Sequence, residues 1–371
     1  MNIGRLMAMA RKEAIQLRRD TRSLIMAFLL PMVLLIIFGY AISWDVKNIK
    51  TAVLDQDHSQ QSRELLDAFR ASGYFTYTRQ LSATSEIAPL LDGVSVQLVL
   101  VIPPDFSAHL NAGRSAELQA IVDGSDANTA TIILAYARAI VQTYSLKVQL
   151  QGKRLTLPVR AETRVWFNEE LVSRNMIVPG LVAMIMMIVA AMLTSPTIAR
   201  EWERGTMEQL AATPVSRAEV ILGKMLPYIA VGLIDMVAIS LLGMFLFDVP
   251  FRGDPLLFLV LSTFFLIGAL GLGIVISVLG RTQLLATQVA MLATFLPAVL
   301  LSGFMYAITV MPKPLQLITY LVPARYFLVV TRGIFLKGVG FEVLYIQGLL
   351  MVVFAALGLF FAVRVFHKEL D

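Results

Sequence analysis

Six apolar stretches alternate with polar segments along the chain, and each is long enough to cross a bilayer. A helix needs about 20 apolar residues to span the hydrocarbon core. Five of the stretches contain no charged residue, and the third contains one, Asp235. The pattern predicts a mainly α-helical fold, with a polytopic membrane domain of six transmembrane helices. The predicted spans are 23–43, 176–199, 225–247, 256–280, 282–311 and 343–363.

Residues 1–22 predict an amphipathic helix ahead of the first span. A basic helix of this kind either lies in the membrane interface or packs as a short cytosolic helix on the rest of the protein, and both interpretations stay open. Its apolar positions recur at helical spacing, at Ile3, Leu6, Met7, Ala10, Ala14 and Leu17.

Residues 44–175 have the composition of an ordinary globular domain rather than of a membrane segment. The stretches "KTAVLD" and "SVQLVLVIP" are typical of buried strands, and "SQQSRELLDAFRAS" and "PPDFSAHLNAG" have helical periodicity. Alternating strands and helices predict a small α/β domain inserted between the first two spans.

The distribution of Lys and Arg predicts the orientation of the chain in the membrane. Residues 1–22 are rich in Arg and should lie in the cytoplasm, which places the C-terminus on the same side and residues 44–175 outside. Residues 309–342 should then be external, yet they are basic. A re-entrant or interfacial pair of short helices would account for that mixed character. The cations concerned are Lys313, Arg325, Arg332 and Lys337.

Composition excludes several classes of protein and site. Of the 371 residues, 57% are hydrophobic and only 15% charged, against about a quarter charged in soluble domains. The formal net charge of +5 is spread over loops without a dense basic tract, which argues against nucleic acid as a partner. The chain has no cysteine, so it forms neither disulfides nor thiolate metal sites.

Signatures of catalysis are missing from the sequence. The chain has no phosphate-binding loop, no H-E-x-x-H zinc motif and no G-x-S-x-G elbow, so we expect no enzyme activity and no metal site. Asp55, Asp57 and His58 lie close together, but the end of a strand followed by a turn and a helix cap explains them better than a metal does. Asp235 is a candidate for a proton or substrate path, because an acid inside a span is costly. A local hydrogen bond to a neighbouring helix is the alternative.

A polar strip at residues 200–217 separates the second and third spans. The segment predicts a short amphipathic helix with mixed charge on the cytoplasmic side. Thr206 would begin it, with Gln209 in the position of a capping box, and Pro214 would end it. Such a helix suits docking onto another protein, whereas a solvated loop is the simpler interpretation.

The polar strip also carries a family resemblance that extends over essentially the whole chain. The sequence "REWERGTMEQLAATPVSRAEVILGKMLPY" resembles the signature of type-2 ABC-transporter permeases, the membrane subunits of ABC exporters. Supporting matches are "RVWFNEELVSRNMIVPG", "LSGFMY" and "VPARYF". In the external domain, "VLDQDHSQQSRELLDAF" and "VIPPDFSAHL" are similar to the drug-exporter branch, which has a large extracytoplasmic domain.

The resemblance implies a coupling helix in the strip that docks onto a separate ABC ATP-binding subunit. ATP and Mg would bind to that subunit, and no cofactor would bind to this chain. The basic N-terminal helix would be the interfacial connecting helix of the family. The expected docking residues are Glu201, Glu203, Arg204, Gly205, Thr206, Glu208 and Pro214.

The resemblance further implies that two permease chains, identical or paralogous, form the pathway between them. Spans two and five line that pathway in the family, and Asp235 is added for its charge. The expected pathway residues are Met184, Met187, Asp235, Phe295 and Phe304. Met-rich surfaces suit varied apolar substrates, but core packing explains these residues equally well.

The sequence therefore predicts a permease subunit that exports amphiphilic or drug-like molecules across a bacterial inner membrane. A periplasmic adaptor and an outer-membrane channel are further expected partners of the external domain. One alternative keeps the fold and changes the cargo to lipid, polysaccharide or sodium. A membrane-anchored ligand sensor is another, although no inner loop is long enough for a signalling domain. A secondary transporter is the third, and it would show internal repeats or broken spans with paired charges.

Overall fold

The computed structural model describes residues 2–42, 46, 48–150, 166–168 and 172–367. The chain divides into two compact units. The helical unit comprises Met1–Ser43 and Arg164–Asp371, and the α/β unit comprises Trp44–Thr163. The α/β domain was predicted to extend to residue 175, and the membrane helix that follows begins at Ser173.

Two consecutive helices open the helical unit, α1 (Ile3–Arg19) and α2 (Thr21–Ala41). The side chain of Asn2 caps α1 by accepting a hydrogen bond from the amide of Gly4, and two arginines in the last turn complement the helix dipole. Within α2 the apolar stretch is Ala27–Ala41.

The buried face of α1 differs from the predicted one. Met9, Ala10, Glu13 and Leu17 are buried, whereas the side chains of Ile3 and Met7 are exposed. Of the predicted apolar positions, Ala10 and Leu17 are buried on this face, which also includes an acid, Glu13.

The α/β unit contains a four-stranded sheet in the order β2-β1-β3-β4. Strand β1 pairs in parallel with both β2 and β3, and β4 pairs antiparallel with β3. Phe69, Phe75 and Tyr144 belong to a buried core on one side of the sheet. The elements are β1 (Ile49–Asp55), α3 (Gln60–Ala71), β2 (Phe75–Gln80), α4 (Ile87–Asp92), β3 (Leu98–Ile102), α5 (Phe106–Asn111), β4 (Gln119–Val122) and α6 (Ala127–Leu150).

The turn after β1 confirms the interpretation of Asp55 as a turn and cap residue. Its carboxylate accepts hydrogen bonds from the amides of Asp57 and His58, both at 3.1 Å, and from the hydroxyl of Ser62 at 2.7 Å. Ser59 caps α3. The oxygens of Asp55 thus serve the backbone and the start of a helix.

The rest of the helical unit is built from eight helices. They are α7 (Ser173–Glu203), α8 (Met207–Ala211), α9 (Arg217–Phe247), α10 (Pro255–Gly280), α11 (Gln283–Leu300), α12 (Lys313–Thr319), α13 (Pro323–Arg332) and α14 (Phe341–Val365). One π-helical turn, Gly333–Lys337, continues α13.

Among the described residues, α7, α9, α10, α11 and α14 are long and apolar enough to cross a membrane. The helices α12 and α13 with its π-helical turn form a further apolar pair, bent by 77°. This geometry is that of a broken span or a re-entrant loop, and it falls within residues 309–342.

Three predicted spans have different limits in the structure. Among the described residues, the apolar helix of the first is Ala27–Ala41, which is shorter than the five candidates above. The fifth ends at Leu300 rather than at residue 311, since Pro297 lies in its last turn and Gly303 follows in a left-handed conformation at φ +84°. The third begins at Arg217 rather than at residue 225. Ser216 and Glu219 form a capping box there, which lets the helix start inside the polar segment.

Helix α7 is the central element of the helical unit, with 89% of its apolar window buried. The hydroxyl of Thr194 donates a hydrogen bond of 2.7 Å to the carbonyl of Leu270 in α10. Helices α10 and α14 approach closely at glycines, since a Cβ on Gly271 would lie 2.6 Å from the backbone of Gly358. These contacts hold the long helices that converge beneath the polar strip.

Candidate functional site

The polar strip does not form one helix. Helix α7 continues through "REWE" to Glu203, and the chain then breaks at Gly205, whose φ of +68° favours glycine. Only Met207–Ala211 forms a separate short helix, α8. The strip therefore contains the last residues of α7, a break in the helix at Gly205 and the five-residue helix α8.

The predicted capping role of Thr206 and Gln209 is wrong. Thr206 precedes α8, but its side chain accepts no capping hydrogen bond. The hydroxyl instead donates to the carboxylate of Glu201 and, at 3.3 Å, to its carbonyl. The hydroxyl is thus a donor to the end of α7, and it does not accept from an amide of α8.

Four side chains from three helices form a charge cluster, which we define as Lys12, Glu13, Glu201 and Lys224; Lys12 is exposed, and the other three are buried. The ammonium of Lys224 donates to Glu13 at 2.9 Å and to Glu201 at 3.1 Å. Lys12 donates to the same oxygen of Glu201 at 2.9 Å. The cluster joins α1, the end of α7 and the start of α9.

Charge balance and hydrogen bonding offset the cost of burying most of this charge cluster. The side chains of Lys224 and Glu13 are only 1% and 2% exposed, and that of Glu201 is 6% exposed. Two cations face two anions, and the hydroxyl of Tyr228 donates a further hydrogen bond of 3.0 Å to Glu13. Desolvated charges persist only where such partners offset the loss of water.

Glycine and capping residues bring α1 against α9. A Cβ on Gly223 would lie 2.6 Å from the Cβ of Met9, so only glycine permits this approach of the two helices. Glu219, which caps α9, also accepts a hydrogen bond from the amide of Asn2. Arg5 donates to the carbonyl of Pro214. Contacts near the start and the middle of the N-terminal helix thus hold it against the polar strip and α9.

A second set of contacts fastens the end of α7 to α11. Arg200 pairs with Asp20 at 2.9 Å and donates at 3.0 Å to the side chain of Gln283, the first residue of α11. Glu203 accepts hydrogen bonds from both the amide, at 2.8 Å, and the side chain of Gln283. Side-chain contacts therefore connect this end of α7 to α1, α9 and α11.

The predicted docking residues divide into two groups. Glu201 is buried inside the charge cluster, and Thr206 is half-buried beside it. The remaining five are exposed, namely Glu203, Arg204, Gly205, Glu208 and Pro214. We call Glu203, Arg204 and Glu208 the exposed docking surface, because their charged side chains face solvent.

The structure brings together only part of the predicted pathway set. Met184 and Met187 are buried in α7, and Phe304 packs on Gly180 one turn before Met184. Phe304 lies beyond the end of α11 rather than in a fifth span, and Phe295 is half-buried on α11.

Asp235 lies on α9, fully buried. Among the described residues, neither of its carboxylate oxygens has a hydrogen-bond partner. The alternative interpretation of this residue, a local hydrogen bond to a neighbouring helix, is therefore not observed.

Sequence reasoning missed Lys12, Glu13, Lys224 and Tyr228. Two features of the sequence pointed weakly to these residues. Glu13 has helical spacing with Met9 and Leu17 on one face of α1, and Lys224 directly precedes the apolar residues of the predicted third span. Charges at such positions require a partner. Sequence spacing could not name that partner.

Within the described residues, no group of three or more His, Cys, Asp or Glu side chains is arranged to hold a metal ion. The site consists of the ends of apolar helices, which ion pairs connect to one another, next to the exposed charged residues Glu203, Arg204 and Glu208. This architecture is that of a multi-pass membrane transport subunit.

Comparison with known proteins gives the family. The family model described as "ABC-2 family transporter protein" matches residues 21–364. The chain belongs to this family. Permeases of the family are non-catalytic transport components that work with an ATP-binding subunit.

Individual relatives extend over most of the chain. It is 37% identical over 336 residues to the probable multidrug ABC transporter permease YbhS of Escherichia coli, covering 90% of this chain and 89% of the relative. It is 32% identical over 344 residues to YbhR, a probable multidrug ABC transporter permease of the same organism, covering 92% of each chain. It is 23% identical over 334 residues to the linearmycin resistance permease protein LnrN of Bacillus subtilis, covering 83% and 85%.

Proposed function

We propose that the chain is the permease subunit of an exporter that moves amphiphilic or drug-like molecules outward, driven by ATP hydrolysis on a separate subunit. ATP and Mg bind to that subunit. Two relatives with similarity over most of the chain are named as probable multidrug permeases, which supports this substrate class. A second permease chain, identical or paralogous, completes the pathway.

The observation that carries the coupling proposal is the position of Glu201. It lies two residues before the exposed docking surface, and it receives Lys12 from α1 and Lys224 from α9. A force that the ATP-binding subunit applies to the exposed docking surface therefore displaces α1, α7 and α9 together rather than one loop. Buried ion pairs are suited to this, because separating them without replacement is costly.

The same proposal places the exposed docking surface and both termini in the cytoplasm and the α/β unit in the periplasm of an inner-membrane protein. The basic N-terminal residues support this orientation. The relative YhhJ of Escherichia coli, 27% identical over 322 residues that cover 84% of this chain and 83% of the relative, is named an inner membrane transport permease. The α/β unit would receive a periplasmic adaptor that leads to an outer-membrane channel. With Ile3 and Met7 exposed, α1 would also touch the membrane interface.

Co-purification tests the coupling proposal. The tagged chain is expressed with its ATP-binding subunit, and the recovered partner and the ATPase activity are measured. Replacing Glu203, Arg204 and Glu208 with Ala should remove the partner while the chain still inserts. A control replaces Lys313 and Glu342, two exposed charges elsewhere in the helical unit. Equal recovery of the partner with both variants would contradict the docking assignment.

The absence of cysteine gives a direct test of orientation. Single cysteines at Glu117 in the α/β unit and at Glu208 in α8 are both exposed positions. A membrane-impermeant maleimide applied to spheroplasts should label Glu117→Cys and leave Glu208→Cys unlabelled until the membrane is opened. The reverse pattern would overturn the proposed topology.

A further inference from the structure

A cavity of about 930 Å³ lies in the helical unit beside the charge cluster. Ligand pockets for drug-sized molecules have volumes of roughly 300–1,000 Å³. The cavity is bounded by α1, α2, α7 and α11, and its lining divides into a basic part and an apolar part. We call it the basic cavity.

Among the described residues, the basic part contains four cations and one acid: Lys12, Arg19, Arg200 and Arg204 against Asp20. Lys12 pairs with Glu201, and Arg200 pairs with Asp20. The structure shows no ion pair to the exposed side chains of Arg19 and Arg204 within the described part of the chain. Both guanidinium groups are exposed, although Arg204 is close enough to Glu203 for the two charges to attract, and their planar geometry suits phosphate or carboxylate.

Helices α2, α7 and α11 contribute the apolar part. Leu30 comes from α2, Met192 and Leu193 come from α7, and Leu284 comes from α11. The arginines lie at the last turn of α1 and just past the end of α7, which is where a span reaches the head-group region. The cationic wall therefore lies where a lipid of the adjacent leaflet has its head group, and the apolar wall lies where that lipid has its acyl chains.

We propose that the basic cavity admits amphiphiles with an anionic head group and an apolar tail from the membrane leaflet on the side of the polar strip. Arg19 and Arg204 bind the head group, and Leu30, Met192 and Leu193 contact the tail. A small soluble anion would leave the apolar wall unused, and a zwitterionic lipid would gain less from the arginines. This inference names a substrate class for the proposed exporter and rests on that function only for the transport step.

The position of the basic cavity also relates binding to the charge cluster. Lys12 and Arg200 line the cavity while holding Glu201 and Asp20. A bound anionic head group would share these cations with the two carboxylates. Binding of the amphiphile would in this way weaken the ion pairs at the end of α7, next to the exposed docking surface.

Photo-cross-linking of lipid to the full-length chain tests the binding step. The chain is reconstituted in phosphatidylcholine vesicles with photoactivatable phosphatidylglycerol or with phosphatidylcholine of the same acyl chains. Labelled peptides are identified by mass spectrometry. Phosphatidylglycerol should label the lining segments of α2 and α7 more strongly. Arg19→Gln should lower that labelling about fivefold, as expected for the loss of one basic residue near an anionic head group.

Matched variants separate a specific site from general attraction. Arg18 neighbours Arg19 on α1, is exposed and lies outside the lining, so Arg18→Gln should leave the labelling unchanged. Met192→Trp should narrow the apolar part of the cavity and lower labelling by both lipids. Equal labelling by the two lipids, or equal effects of Arg18→Gln and Arg19→Gln, would overturn the proposal. Displacement of the lipid by inorganic phosphate alone would overturn the choice of an amphiphile.

The binding assay needs neither ATP nor the ATP-binding subunit. If the ATP-binding subunit does not dock as proposed, the result of the lipid-binding assay is unchanged, and only the proposed function is contradicted. Selective labelling without ATP-dependent release of phosphatidylglycerol would retain the site and contradict its place in export.

Discussion

The ammonium of Lys224 lies 2.9 Å from the carboxylate of Glu13, although the two residues are 211 positions apart in the chain. Both side chains are almost fully buried. The contact makes the N-terminal helix part of the base of the helical unit, because α1 cannot leave α9 without exposing or separating two desolvated charges.

Lys224→Met should destabilise the chain by about 3–5 kcal/mol, since Glu13 and Glu201 would remain buried with fewer cations to offset them. The apparent melting temperature of the purified chain in detergent measures the effect. Lys313→Met removes an exposed lysine and serves as the control. Adding Glu13→Gln to Lys224→Met should recover part of the loss, because it removes one uncompensated charge. A melting temperature equal to that of the control would show that the charge cluster contributes nothing to stability.

Glu208→Lys should weaken binding of the ATP-binding subunit about tenfold, because it reverses a charge at the centre of the exposed docking surface. Glu208 lies in the first turn of α8 and is exposed, so the fold should be unaffected. The amount of co-purified subunit and the stimulated ATPase rate are the measurements. Glu342→Lys, at an exposed acid in the first turn of α14, is the control. Full ATPase stimulation in Glu208→Lys would exclude this residue from docking.

The hydropathy pattern predicted the long membrane helices because burial in a bilayer depends on composition along a continuous stretch. It missed the true start of α9, although Ser216 and Glu219 have the spacing of a capping box. Local rules of this kind are readable from sequence. They need to be applied inside polar segments as well as at their edges.

The charge cluster could not be predicted in the same way. Lys12 and Glu201 are 189 positions apart, and their pairing depends on the tertiary approach of α1 to α7. The same limit explains why Glu201 was predicted to be on the surface with Glu203. In a helix, two neighbouring acids point in different directions, and only packing decides which of them is buried.

Gly271→Ala should destabilise the helical unit by about 1–3 kcal/mol, as expected for overpacking a tight contact. The new Cβ would lie 2.6 Å from the carbonyl carbon of Gly358 and 2.8 Å from its oxygen, and backbone atoms cannot turn away. Thermal unfolding in detergent is the measurement. Gly124→Ala is the matched control, since a Cβ there meets nothing within 4 Å. Equal melting temperatures for the two variants would show that α10 and α14 separate freely.

Asp235→Leu should stabilise the chain by about 1–3 kcal/mol, because it replaces a buried carboxyl without partners among the described residues by an apolar side chain of similar size. The melting temperature in detergent and the ATP-driven export rate are measured on the same preparations. A chain that retains a costly acid inside a span does so for function more often than for packing. We therefore expect the stabilised variant to export more slowly, with Asp235→Asn intermediate in stability. A more stable variant that exports at the rate of the unaltered chain would remove Asp235 from the pathway. A less stable variant would show that the carboxyl has a partner in the membrane, such as the second permease chain.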